Sequence, residues 1–158
     1  VIGVPDIDDG MIDLPLAKQP GSGGEKMHVD EEEGQPSRSR YRVIERVGNR
    51  AAWVELQPYT GRTHQLRVHM AAIGHPIVGD GKYGGSGQEN LGDGWGAQLG
   101  GEISRKLHLH ARLIRFEHPI TKKLVTVTAP LPDHMARTWK TLGWHENDVP
   151  ADPFEDAP

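Results

Sequence analysis

Residues 60–80 read Thr60-Gly-Arg-Thr-His-Gln-Leu-Arg-Val-His-Met-Ala-Ala-Ile-Gly-His-Pro-Ile-Val-Gly-Asp80, and the spacing inside this stretch sets the architecture. Leu66, Met70 and Ile73 recur at i, i+4 and i+7, the repeat of a helix with one apolar stripe. The helix is expected over residues 62–73, with Thr63 as its N-cap. Gly74 is placed as the residue that lets the chain leave in a left-handed conformation. Arg62, His64, Arg67 and His69 sit near the start of this helix, where exposed N–H groups and the dipole favour an anion. A guanidinium at position 67 can pair a carboxylate or a phosphate with two parallel hydrogen bonds. Periodicity alone leaves open that these are ordinary surface cations.

Upstream, Arg42-Val-Ile-Glu-Arg-Val47 and Ala52-Trp-Val-Glu-Leu-Gln57 are short β-rich runs, and Gly48-Asn49 between them favours a tight hairpin. Downstream, a second hairpin is expected from the runs 107–116 and 124–129. Pro132 to Leu142, stopped by Gly143, has the form of an amphipathic helix with proline in its first turn. Strands, helix, hairpin and helix in this order give an α+β fold with a largely antiparallel or mixed sheet and flanking helices. One domain is expected over 1–144, with 21–40 as a flexible insertion, 85–103 as a glycine-rich loop and 145–158 as a disordered acidic tail. Trp53, Ile114, Phe116, Trp139 and Leu142 are core candidates, together with Leu66, Val68, Met70 and Ile73 on the first helix.

The chain of 158 residues is 35% hydrophobic, with 20 Gly and 12 Pro, so a modest core with long connections is expected. It has no cysteine, which excludes disulfides and thiolate metal sites and fits a reducing compartment, with the cytoplasm as the expected location. No apolar run approaches the roughly 20 residues needed to cross a bilayer. The opening Val1-Ile2-Gly3-Val4 reads as the middle of a strand, so an upstream part is expected. Net charge is −4 but uneven: residues 38–145 hold 16 Lys and Arg against 8 Asp and Glu, and the remainder holds 2 against 14. A basic body with acidic ends suits a nucleic-acid binder, although solvated faces would give the same counts.

Several motifs lose their force on inspection. Gly79-Asp-Gly-Lys-Tyr-Gly84 matches a dinucleotide fingerprint on paper, but the next residues, Gly85-Ser-Gly-Gln88, cannot open the helix that would hold a pyrophosphate. Asp6-Ile-Asp-Asp-Gly10 has its glycine one position early for a calcium loop. His64 and His69 are five apart rather than four, with no glutamate between them, so no zinc pair is expected.

The segment Thr60 to Asp80, continued by Tyr83-Gly84, resembles the signature of RluA-type pseudouridine synthases. Gly10-Met-Ile-Asp-Leu-Pro-Leu16, Leu109 to Pro119 and Ala129-Pro-Leu-Pro132 are similar to flanking stretches of that family. The resemblance covers roughly 1–20 and 41–143 and implies the C-terminal half of the catalytic fold. It further implies isomerisation of uridine to pseudouridine in RNA, with no cofactor and no metal, on a nucleotide flipped out of its helix. The family's nucleophilic aspartate lies in an H-R-L-D-x-x-T-S-G segment, which does not occur in this sequence. By matching position Arg67 is the salt-bridge partner of that aspartate. Arg62, Thr63, His64, Gln65, His69, His75, Asp80 and Tyr83 are the implied RNA contacts. The partners implied are RNA, ribosomal ahead of transfer RNA, and the missing N-terminal half of the same catalytic domain. The chain alone is expected to be inactive. Rival readings are a non-catalytic RNA-binding module of the same fold and a nucleotide-binding metabolic domain that uses the 79–84 loop.

Overall fold

The structure, a computed structural model, describes residues 1–21, 26–84 and 103–154. Three strands, β1 (Asp9–Asp13), β4 (Arg38–Val47) and β5 (Ala51–Pro58), form an antiparallel sheet in the order β1-β4-β5. β2 (Leu16–Lys18) pairs with β3 (Met27–Val29), and β6 (Leu113–Glu117) pairs with β7 (Leu124–Thr128), both antiparallel. The helices are α1 (Gln65–Ala72) and α2 (Asp133–Leu142), followed by a short 3-10 turn at Glu146–Asp148. This is the expected α+β architecture, with every described strand pair antiparallel.

The long hairpin β4–β5 is the spine, and alternation along β5 explains how both of its faces are covered. Val54 and Leu56 point to one face, where they pack with Ile12, Tyr41, Met70 and Ile77 beneath α1. Trp53 points to the other, where it meets Met135, Trp139, Trp144 and Val149 from α2 and the segment after it. The Trp53 and Trp139 rings lie 5.3 Å apart edge to face, as do Trp139 and Trp144. Each such pair contributes roughly 0.5–1.5 kcal/mol beyond its area. A register shift between Val43 and Glu45 bulges β4 at Ile44, which packs into the tryptophan cluster.

Four expectations are corrected. The first concerns the helix start. Its N-cap is His64, in a left-handed conformation at φ 53° and without a capping side chain, so Thr63 lies outside the helix and caps nothing. Gly74, by contrast, sits at φ 89° and its N–H and that of His75 close onto Ala71 and Met70, the termination its position predicts.

The second concerns residues 21–40. Beyond residues 22–25, which lie outside the described residues, this segment forms β3 and the start of β4, with Ser37 and Ser39 fully buried. Alternation of small serines with arginines turns the serines inward, where Ser39 meets Gln65 and His69 of α1, while Arg38 is exposed. The third concerns the tail: Trp144 and Val149 are buried, and the Pro153 and Phe154 carbonyls accept hydrogen bonds from Arg42 and Arg40, so the tail is packed as far as residue 154. The fourth concerns the core: Ile114 is 60% and Phe116 42% exposed, because nothing among the described residues covers the β6–β7 hairpin on that side. The expected glycine-rich loop falls almost wholly on residues 85–102, outside those described.

Candidate active-site wall around Arg67

Arg67 and Asp80 form the centre of the site. Arg67 Nε donates to Asp80 Oδ2 at 2.9 Å and Nη2 to Oδ1 at 2.8 Å, a fork-to-fork pair. The Asp80 side chain is 0% exposed, and the Arg67 side chain 19%. A buried carboxylate is costly unless paired. Burial alone would push the Asp80 carboxyl up, but the Arg67 guanidinium and the Tyr83 and Lys82 backbone N–H groups outweigh it and hold the carboxyl below its ordinary value. The same bonds raise Arg67 against the opposing effect of burial. Asp80 is therefore a fixed anion, and Arg67 a cation whose aim it sets. A guanidinium has five N–H donors, and two point at Asp80. The donors on Nη1 and the second on Nη2 have no hydrogen-bond partner among the described residues.

Tyr83 closes one side of this pair. Its ring centroid lies 5.1 Å from Arg67 Cζ, a cation–π stack, and its N–H donates to Asp80 Oδ1 at 3.2 Å. Its hydroxyl accepts the Met27 N–H at 3.1 Å and stands 2.6 Å from His64 Nδ1. Which of the two donates in that short contact follows the imidazole tautomer. The left-handed backbone at His64 is what turns the ring toward Tyr83 rather than along the helix.

Gln65 and His69 lie one helical turn apart and are buried at 4% and 0% exposure. Gln65 Nε2 donates to Ser39 Oγ and to the Arg38 carbonyl, both at 2.9 Å, and its Oε1 accepts from Thr60 Oγ1 and the Arg62 N–H. Ser39 in turn lies 2.8 Å from His69 Nδ1, while His69 Nε2 donates to the Leu14 carbonyl at 2.9 Å. Only one proton arrangement satisfies the chain: Gln65 to Ser39, Ser39 to His69, His69 to Leu14. Burial lowers the His69 pKa, with the Leu14 carbonyl acting against it, so the ring is neutral. Gln65, His69 and Asp80 were expected at the RNA surface. They are instead buried: Gln65 and His69 tie α1 to β4 and to the Leu14 carbonyl, and Asp80 ties the turn after Gly79 to α1.

The remaining expected residues separate by place. Arg62 and Thr63 are exposed at the start of α1, with Arg62 Nε and Nη2 donating to the Pro36 carbonyl. His75 lies past the opposite end of α1, with Nδ1 on the Ile2 carbonyl at 3.0 Å. The structure thus brings together His64, Arg67, Asp80 and Tyr83, and leaves His75 apart. Gly79, at φ 84°, is followed by a turn, not a helix, as far as residue 84; a Cβ there would collide with the Lys106 carbonyl oxygen. That close approach, with Asp80 locked on Arg67, accounts for the glycine without any nucleotide. Sequence reasoning missed Ser39 and the Met27 N–H. The two-residue period of Ser37-Arg38-Ser39-Arg40 was the available sign of a strand with an inward serine.

Comparisons with known proteins place the chain among RNA pseudouridine synthases. A family model described as RNA pseudouridylate synthase matches residues 4–72. An RNA pseudouridine synthase of Synechocystis sp. is 36% identical over 139 residues, 87% of this chain and 38% of that protein. Ribosomal large subunit pseudouridine synthase C of Haemophilus ducreyi is 40% identical over 125 residues, 79% of this chain and 37% of that protein. The dual-specificity RNA pseudouridine synthase RluA of Salmonella typhi is 37% identical over 130 residues, 82% of this chain and 53% of that protein. Among solved structures, human RNA pseudouridylate synthase domain containing 1 superposes with a TM-score of 0.63 at 27% identity, covering 98% of this chain and 64% of that one. The fold is that of a pseudouridylate synthase domain. Within that class the chain belongs to the RluA-type family, and it spans between 37% and 53% of the length of these three bacterial relatives.

Proposed function

We propose that this chain forms one wall of an RNA pseudouridine synthase active site, in which Arg67 holds a nucleophilic carboxylate supplied by polypeptide outside these 158 residues. The observation that carries the reading is the half-used guanidinium. Asp80 takes two of its donors and fixes its plane, and the free edge is left with the geometry that grips a second carboxylate. Such a grip keeps the carboxylate ionised at neutral pH, as a nucleophile at the ribose requires. His64 and Tyr83 beside it, with exposed Arg62 and Thr63, form the edge that meets the RNA backbone. Gln65, His69 and Asp80 act through the residues they hold. The chain on its own is expected to be inactive, since no carboxylate other than that of Asp80 meets the Arg67 guanidinium among the described residues. Ribosomal RNA is the favoured substrate over transfer RNA, in the cytoplasm, with no cofactor.

The test is to fuse the chain to an upstream segment bearing an H-R-L-D motif and to measure pseudouridine in transcribed large-subunit RNA. Wild type converts uridine; Arg67→Ala loses at least 100-fold in rate while still binding RNA, and Arg67→Lys recovers part of it. Retention of full rate by Arg67→Ala overturns the reading. RNA affinity that does not fall between low and moderate salt contradicts the proposed backbone contacts.

A further inference from the structure

One turn supplies two walls around Arg67. Residues 80–84 close on themselves, with the Gly84 N–H on the Asp80 carbonyl at 2.7 Å and the Tyr83 N–H on Asp80 Oδ1 at 3.2 Å. From that turn the Asp80 carboxylate meets the guanidinium edge-on, and the Tyr83 ring stands against its face, 5.1 Å from Cζ to the ring centroid. A carboxylate edge aligns a guanidinium; an aromatic face adds a stop against displacement out of its plane.

The tyrosine is itself held at its far end. Its hydroxyl accepts the Met27 N–H at 3.1 Å and stands 2.6 Å from His64 Nδ1, with the two rings 5.5 Å apart edge to face. A phenol can donate one hydrogen bond and accept two. With Met27 as one donor, the hydroxyl keeps its proton and a second acceptor position, so it meets His64 in either imidazole tautomer.

His64 stands at the N-cap of α1, three residues before Arg67, and its backbone is left-handed at φ 53° and ψ 22°. Among the described residues only Lys122, between β6 and β7, shares a positive φ without being glycine. That region is uncommon for residues with a Cβ, and a glycine would take it without strain. No side-chain hydrogen bond from His64 caps the helix, so capping does not explain the residue. Its ring on Tyr83 does. A backbone outlier kept beside a functional side chain is a pointer toward function.

We propose that Tyr83 and His64 are positioning residues for Arg67: the tyrosine ring backs the guanidinium, and the left-handed His64 pins the tyrosine hydroxyl. The inference rests on the reading of Arg67 as the holder of a nucleophilic carboxylate. It gives both residues a task at the arginine that is separate from contact with RNA. A guanidinium gripped on one edge and backed on one face presents its other edge in a fixed direction, and correct aim at a reacting group is worth rate rather than affinity.

Two measurements test it. In the isotope-labelled 158-residue chain, exchange of the Arg67 Nε–H proton with water is followed by nuclear magnetic resonance. Tyr83→Leu is expected to speed it about tenfold, and Tyr83→Phe and His64→Gly about threefold each. In the fusion with an upstream H-R-L-D segment, pseudouridine formation is resolved into kcat and KM. Tyr83→Leu should lower kcat about 30-fold, and Tyr83→Phe and His64→Gly about fivefold each, with KM within about twofold of wild type. The His64→Gly, Tyr83→Phe double variant should be no slower than Tyr83→Phe alone, because both changes remove the same contact. His64→Gly relieves the backbone and so controls for a purely conformational role, while His64→Asn, which tolerates the left-handed region and offers an amide near the place of Nδ1, should recover most of the rate. Exchange unchanged in all three single variants overturns the inference. A rise in KM with kcat unchanged overturns it too and assigns the pair to RNA contact alone. An active fusion whose kcat ignores these variants keeps the proposed function and removes the inference. A wild-type fusion that makes no pseudouridine counts against the proposed function, and the exchange measurement then decides the positioning by itself.

Discussion

The α1 side of this molecule and its β6–β7 side are finished to different degrees. Around α1, three buried polar side chains have partners: Gln65 uses its two donors and its acceptor oxygen, His69 uses both ring nitrogens, and Asp80 meets a guanidinium. Around β6 and β7, Ile114, Leu124 and Val127 are at least half exposed, and a strand edge runs without a partner among the described residues. Both regions carry the strong local patterns of secondary structure. They differ in whether the groups that complete them lie among the described residues. A region whose polar groups are already satisfied within the chain folds around its own contacts, whereas one built on exposed apolar alternation marks a surface meant to be covered.

The contrast is tested most severely at Asp80. Asp80→Ala leaves the part-buried Arg67 cation without its partner and is expected to cost about 3–5 kcal/mol. Urea midpoints with an unchanged slope measure it, and a loss below about 1 kcal/mol means the pair is not what secures the 80–84 turn to α1. Next, His69→Phe keeps the shape but strands the Leu14 carbonyl and the Ser39 hydroxyl proton, for an expected loss of about 2 kcal/mol. Thermal unfolding of His69→Phe beside Ser39→Ala tests whether they act as one network. The two losses should fall short of additive.

A smaller effect comes from pH. Burial, above the opposing Lys106 carbonyl, lowers His108 to about 4. Its folded value lies below the roughly 6.5 of a free imidazole, so the unfolded chain takes up the proton first. The associated stability is fully present above about pH 6.5 and is lost as pH falls toward 4. Denaturation midpoints across that range should decline, and His108→Gln should flatten the decline. The smallest effect belongs to the unfinished side: Ile114→Ser in the isolated chain should change stability by less than about 0.5 kcal/mol. A loss of about 2 kcal/mol there would mean that Ile114 is covered within this chain after all.

The same division governs what could be read in the residues. Leu66, Met70, Ile73 and Gly74 announce α1 and its end because both are local matters of spacing and φ. Arg67 was recognisable as an anion-pairing residue, yet Asp80 as its partner was not, since thirteen residues of separation leave the pairing to tertiary packing. Ser39 was hidden for another reason: Ser-Arg-Ser-Arg has the composition of a loop, and only α1 lying on it makes the serine an internal hydrogen-bond relay. Ile114 and Phe116 read as core because alternation reports which face a strand means to bury. It does not report whether the cover is encoded in the same chain.

The proposed function stands on Arg67, whose guanidinium plane Asp80 fixes. The decisive quantity is pseudouridine content in transcribed large-subunit RNA incubated with the chain alone and with the chain fused to an upstream segment bearing an H-R-L-D motif. No product is expected from the chain alone, product from the fusion, and at least 100-fold slower formation from the fusion when Arg67 is replaced by alanine. Pseudouridine formed by the chain alone would refute the role assigned to Arg67.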